Sequence, residues 1–155
     1  MKNLLNVLLM TLLIGIVFSC QKDAPAPVEV PDPGLKSTPT THYVNPGESI
    51  QEAVDAASHG DIIMIAPGIY EELVFIIEKD LTLIGEDGAT ILSPNITDPV
   101  PFWDLILVYG CNANFENLSF DGGNYGGGLN DLLYFVEAGG EVTGCTFQNV
   151  NGWGI

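Results

Sequence analysis

No arginine occurs anywhere in the 155 residues, and only four lysines, Lys2, Lys22, Lys36 and Lys79, stand against 20 acidic residues, for a formal charge of −16. Nucleic acid and anionic lipid headgroups are held by clustered Lys and Arg, so this composition excludes them as partners. The two-pronged clamp that a guanidinium offers to carboxylate or phosphate is missing as well. Cysteine is nearly as scarce: Cys20, Cys111 and Cys145 are too few for a disulfide framework. The uncharged apolar run from Leu4 to Val17 is shorter than the roughly 20 residues of a permanent membrane span.

What that run does fit is a secretory signal, with one early positive charge at Lys2 and a short apolar stretch ending at Phe18-Ser19-Cys20. Val17-Phe18-Ser19-Cys20 resembles the lipobox of bacterial lipoproteins. The resemblance implies that residues 1–19 are removed, that Cys20 becomes an acylated N-terminus, and that the protein is anchored in a membrane through lipid. Each buried methylene adds about 0.8 kcal/mol, so several acyl chains hold durably where one is marginal. Gln21-Lys22-Asp23 is similar to the charged tract that sends some lipoproteins to the outer face of the outer membrane, which implies a cell-surface location. From residue 20 to 41 the chain is rich in Pro and Thr without apolar period, and it reads as a semi-stiff linker of up to roughly 3.1 Å per residue.

Residues 42–155 suffice for one core. Ser49 followed by Glu52 has the spacing of a capping box, and Ile50, Ala53, Val54 and Ala57 form one apolar stripe. A two-turn amphipathic helix is expected over Ser49–Ala57, with Gly60 as its left-handed stop. Brief aliphatic runs follow at Ile62–Ile65, Leu73–Ile77, Leu81–Ile84 and Ala89–Leu92, separated by Pro67-Gly68, Lys79-Asp80 and Gly85–Gly88. Short strands rich in branched residues indicate an all-β domain, and most turns lack the Asn-Gly or Asp-Gly pairs of tight hairpins. A repeat appears further on. Shifted by 28, Leu105–Val108 falls on Leu133–Val136; shifted by 27, Asn117–Phe120 falls on Gly144–Phe147. A period in the high twenties predicts a right-handed parallel β-helix, one coil per repeat, over a β-sandwich or jelly roll.

Gly47–Ala57, Gly60-Asp61, Ala66–Glu72, Leu81–Gly85 and Ala89–Ile91 together resemble the opening segment of pectin-lyase-like β-helix proteins, among them pectinesterases, polysaccharide lyases and mannuronan epimerases. The resemblance spans about 50 residues. It implies a helix that caps the first coil, and a polysaccharide as partner. No matching cap follows the last strand, so the expectation is a solenoid truncated at its C-terminus, whose open coil pairs with further chain or a partner.

Catalytic residues of those families have no counterpart to carry over. Their lyases use an arginine or lysine base, whereas the one lysine of the 42–155 segment, Lys79, sits in a turn beside Asp80 and reads as solvated. Glycoside hydrolysis needs two facing carboxyls; Asp104, Asp121, Asp131, Glu137 and Glu141 lie in the repeat region, where a solvated acidic face is the plainer reading. Asp121-Gly122-Gly123-Asn124 offers oxygen ligands of the kind calcium takes, without the full EF-hand spacing. His42 and His59 read as structural or solvated, and Cys111 and Cys145 as stacked interior thiols, with a bridge between them the alternative that export permits. Trp103 and Tyr125, with Asp121, Glu137 and Glu141, are the candidate glycan or cation contacts, since aromatic faces stack on sugar rings. The expected function is binding or processing of extracellular polysaccharide, as a lyase, pectinesterase-like enzyme or epimerase completed elsewhere. A non-catalytic structural or adhesive role is the alternative.

Overall fold

The computed structural model describes residues 38–95, 104–123, 129 and 131–150. Twelve short strands and one helix follow one another: β1 (Thr41–Val44), α1 (Ile50–Ala56), β2 (Ile62–Ile65), β3 (Gly68–Glu71), β4 (Val74–Ile77), β5 (Leu81–Gly85), β6 (Ala89–Leu92), β7 (Ile106–Tyr109), β8 (Ala113–Glu116), β9 (Ser119–Asp121), β10 (Tyr134–Val136), β11 (Val142–Thr143) and β12 (Thr146–Gln148). The domain is predominantly β. Every strand pair among the described residues is parallel.

The strands sort into three sheets, here A (β1-β2-β5-β8-β11), B (β3-β6-β9-β12) and C (β4-β7-β10). From β2 onward the chain visits A, B and C in strict rotation. Alternate residues point inward and stack on their register partners: Ile63, Leu83 and Phe115 in A; Tyr70, Ile91, Phe120 and Phe147 in B; Ile76, Val108 and Phe135 in C. These three columns share one apolar core. Phe115 of sheet A meets Phe120 of B edge-on at 5.9 Å and Phe135 of C at 6.2 Å, while Phe147 stacks on Phe120 at 4.9 Å. Such ring pairs add about 0.5–1.5 kcal/mol each beyond simple burial.

The register corrects one expectation. Leu107 pairs with Tyr134, Phe115 with Val142 and Ser119 with Thr146, a uniform shift of 27 in all three sheets, with no residue lost between blocks. The shift of 28 for Leu105–Val108 was a one-residue slip, and such a slip would turn every inward side chain outward. β3 is also a strand where Pro67-Gly68 had suggested only a turn.

Helix α1 buries Ile50 and Val54, and Ala57 just beyond them, as the apolar stripe requires, but its capping differs from the expected box. Ser49 Oγ accepts from the Glu52 amide at 3.2 Å. The returning carboxylate is that of Glu72, which accepts from Ser49 Oγ at 2.8 Å and from the amides of Ile50 and Gln51 at 2.7 and 3.1 Å. At the other end Ala57 is extended, so Gly60 does not form the helix stop. Lys79 is not simply solvated: its Nζ donates to the carbonyls of Val54 and Asp55 at 2.8 and 3.2 Å, opposite the negative end of the helix dipole. Glu72 and Lys79 flank β4, so this strand holds α1 at both ends. Gln51 completes the attachment by accepting from Phe75 N at 2.7 Å and donating to Phe75 O at 3.2 Å, which satisfies the outer edge of sheet C.

Asp61 fastens β1 to the turn after α1. It is buried, and accepts from the amides of Thr40 and Ser58 at 2.8 Å and from His42 Nε2 at 2.9 Å. Those bonds, the Thr40 amide foremost, lower its pKa from 3.8 to about 2. A depressed carboxyl stabilises the fold in full above its unfolded value and loses that contribution as pH falls through the folded one. Resistance to urea is therefore expected to fall as pH drops from about 4 to 2 in the parent, and to vary less across that window in Asp61→Asn. Equal pH slopes in the two proteins would remove this role.

Candidate functional site

Outward-facing positions distinguish the sheets. In B they are mixed: Ile69, Thr90, Ser119 and Thr146 in one row, Glu71, Leu92, Asp121 and Gln148 in the next. In A, Thr82, Asn114 and Glu116 interrupt the apolar residues. In C all six are apolar or aromatic. Phe75, Leu107 and Tyr134 form one row across the three strands, and Ile77, Tyr109 and Val136 the other. Phe75 is 38% exposed, Ile77 54%, Tyr109 40% and Tyr134 44%. The physical origin is plain in the chain: Val74–Ile77 and Ile106–Tyr109 are apolar at every position, with no polar alternate to turn to water.

Acidic residues border this face at both strand ends. After the strands come Glu78, Gly110 and Glu137, one per strand and all in the left-handed region (φ 51, 66 and 49). For a non-glycine residue that conformation costs roughly 1–2 kcal/mol, and it turns the chain from sheet C toward sheet A. Before the strands come Glu72, Asp104 and Asp131. Glu72 and Asp104 each lie two residues ahead of the paired Val74 and Ile106, and Asp104 bridges Asp131 directly. Glu72 is committed to α1. Asp104 is buried, and burial first, then the neighbouring Asp131 charge, push its carboxyl above the usual range. Asp131 Oδ1 is buried and has no hydrogen-bond partner among the described residues. Lys79, the only Lys or Arg among those residues, is spent on the helix carbonyls.

The sequence candidates fall apart in space. Trp103, Tyr125 and Cys20 lie outside the described residues. Asp121 is on sheet B, where its Oδ1 accepts from the Gly123 amide at 2.9 Å and Asn149 Nδ2 at 2.7 Å, and its Oδ2 from Gln148 Nε2 at 2.8 Å. Burial alone would raise this carboxyl, but the bonds from Asn149, Gly123 and Gln148 outweigh it and hold the pKa low. A calcium ion would have to displace these donors. Glu137 and Glu141 bracket the connection from β10 to β11; Glu137 borders the sheet C face, while the Glu141 amide and carbonyl serve the β8 edge. No group of three His, Cys, Asp or Glu among the described residues has the arrangement to hold a metal.

A groove of about 550 Å3 lies elsewhere, at the corner between sheets A and B. Its lining includes Asp87, Asn117 and the hydroxyls of Thr90, Ser119 and Thr146, stacked one per strand. Thr146 Oγ1 donates to Ser119 Oγ at 3.0 Å, so the hydroxyls partly satisfy one another. Leu118 and Ala89 also line it, and it carries no aromatic ring. The sheet C face is the stronger candidate, because four of its six outward side chains are exposed large apolar or aromatic groups and the other two, Leu107 and Val136, are half-buried.

Comparison with protein-family models, with curated proteins and with solved structures finds no match in any of the three.

Proposed function

We propose that the rotating strands are successive coils of a right-handed parallel β-helix of the pectin-lyase-like kind, capped by α1. On this reading the protein is carried to the cell surface of a bacterium as a lipoprotein anchored through Cys20, and binds or helps process extracellular polysaccharide on the outer face of sheet C. The observation that carries the proposal is the order A-B-C repeated from β2 through β12, in which paired strands lie three places apart in the chain. Parallel strands joined by crossovers in one sheet are connected right-handedly in nearly all proteins, which sets the hand. The aromatic, unpaired face of sheet C is what a sugar ring stacks on. Among the described residues no helix is long and apolar enough to cross a membrane; the lipid anchor rests on the lipobox-like Val17-Phe18-Ser19-Cys20.

One observation favours the non-catalytic alternative, a structural or adhesive solenoid. Of the acidic residues, Glu72, Asp61, Asp80 and Asp121 are each engaged in bonds that hold the fold, so these four are structural rather than free for chemistry. The mature protein should be screened against immobilised neutral glycans, pectate and alginate, with and without calcium. Retention by at least one polysaccharide is expected, and failure to bind in every arm would leave the structural role. Cys20→Ser should move the protein from the membrane to the soluble fraction; unchanged membrane partition would sink the anchor.

A further inference from the structure

We infer that the sheet C face selects an uncharged polysaccharide and turns polyuronates away. The inference rests on the polysaccharide reading above and names the class of ligand for that site. Its size comes first. The face is three strands wide and two outward residues deep, roughly 10 by 7 Å between Cα positions, which matches a short run of sugar rings. A standard protein interface takes about 800 Å2 from each partner, far more than six side chains supply. A second copy of a chain with charge −16 would also bring carboxylates against carboxylates.

Charge then decides among sugars. Phe75, Tyr109 and Tyr134 present rings for the C–H faces of pyranoses, and the Tyr109 and Tyr134 hydroxyls add polar tips. Around them, exposed Glu78 and Glu137 close one end and half-buried Asp131 stands at the other. Carboxylates accept hydrogen bonds from sugar hydroxyls. Toward the carboxylate of a uronate they offer repulsion with no cation to offset it, because Lys79 faces the helix carbonyls and the chain holds no arginine. Two unit charges at roughly 8 Å in a water-like medium repel by about 0.5 kcal/mol, so the two glutamates together disfavour a uronate about fivefold.

Calorimetric titration of the full mature protein tests this with two sets of hexasaccharide probes. The neutral set comprises glucan, xylan, galactan and mannan oligomers; the charged set, oligogalacturonate and oligomannuronate. At least one neutral probe should bind more tightly than either uronate without added divalent cation. Tyr109→Ala and Tyr134→Ala should each weaken that neutral probe about 5–10-fold, whereas Tyr109→Phe and Tyr134→Phe, which keep the ring, should stay within about twofold. The double variant Glu78→Gln/Glu137→Gln should narrow the gap between uronate and neutral probe roughly fivefold, and raised salt should narrow it in the parent by screening. Tighter uronate binding, or neutral binding indifferent to loss of both rings, overturns the inference and leaves polysaccharide binding standing. Silence from every probe overturns the polysaccharide reading itself.

Discussion

Glu72→Ala is expected to lower the thermal midpoint by about 10–20 °C. The Glu72 carboxylate accepts three hydrogen bonds at the start of α1, from the Ser49 hydroxyl and the Ile50 and Gln51 amides. Truncation leaves two amides and a hydroxyl without their acceptor at a part-buried helix start and removes the negative charge facing the helix dipole. Bonds to a charged group contribute about 1.5–3 kcal/mol, and a loss of that order in a domain of this size gives the stated shift at about 4–8 °C per kcal/mol. The damage spreads, because Gln51 of the same helix covers the Phe75 edge. A loosened α1 therefore also exposes strand amides that template association. Differential scanning calorimetry with light scattering reads both effects. Glu72→Gln, which keeps an acceptor and loses the charge, should fall between parent and alanine. A midpoint shift under about 3 °C in Glu72→Ala would mean that water replaces the carboxylate without cost.

Gly140→Ala should be at least as costly, about 3 kcal/mol or more, and its effect should be confined. Gly140 has φ 149, a conformation that side-chain-bearing residues rarely adopt, and a Cβ there would run into the carbonyl of Ala113 in the neighbouring strand β8. Backbone cannot rotate aside as a side chain can, so the two strands must part. Beside it Ala113 N donates to Gly139 O at 2.9 Å and Phe115 N to Glu141 O at 2.8 Å, the bonds that seat β11 on β8. In a stack whose members touch only their neighbours, opening one junction leaves distant ones intact. Amide hydrogen exchange should show lost protection at Phe115, Asn117 and Thr146, with the β2–β5 ladder protected as in the parent. Uniform loss across all strands would contradict this local picture.

Features that depend on neighbouring residues were legible in the chain; those that depend on distant ones were not. The stripe of Ile50, Val54 and Ala57 and the runs at Ile62, Leu81 and Ala89 declared a short helix and short strands, and the scarcity of hairpin turns pointed to parallel pairing. Register was harder. Leu105–Tyr109 and Leu132–Val136 are apolar at every position, so matching Leu105 to Leu133 looked as good as the true alignment one residue away. Period carries no phase where nothing alternates. The Glu72 and Lys79 roles were invisible because their partners lie 21 to 25 residues distant. The sheet C face was announced by the same unbroken runs, but an apolar run does not say whether its second face is covered. Of the candidate contacts among the described residues, Asp121, Glu137 and Glu141, only Glu137 lies at its border.

Connection lengths add a last consequence. By the strand bounds, two or three residues separate A from B strands and three to five separate C from A; two, then thirteen, then twelve separate B from C. All large variation is thus confined to the passages leading into sheet C, while strand pairing on either side keeps step. Loop closure grows dearer only slowly with length, so these passages can lengthen, shorten or accept a grafted segment at little thermodynamic penalty. They are the natural place for a designer to change the length of the chain without altering the strand pairing.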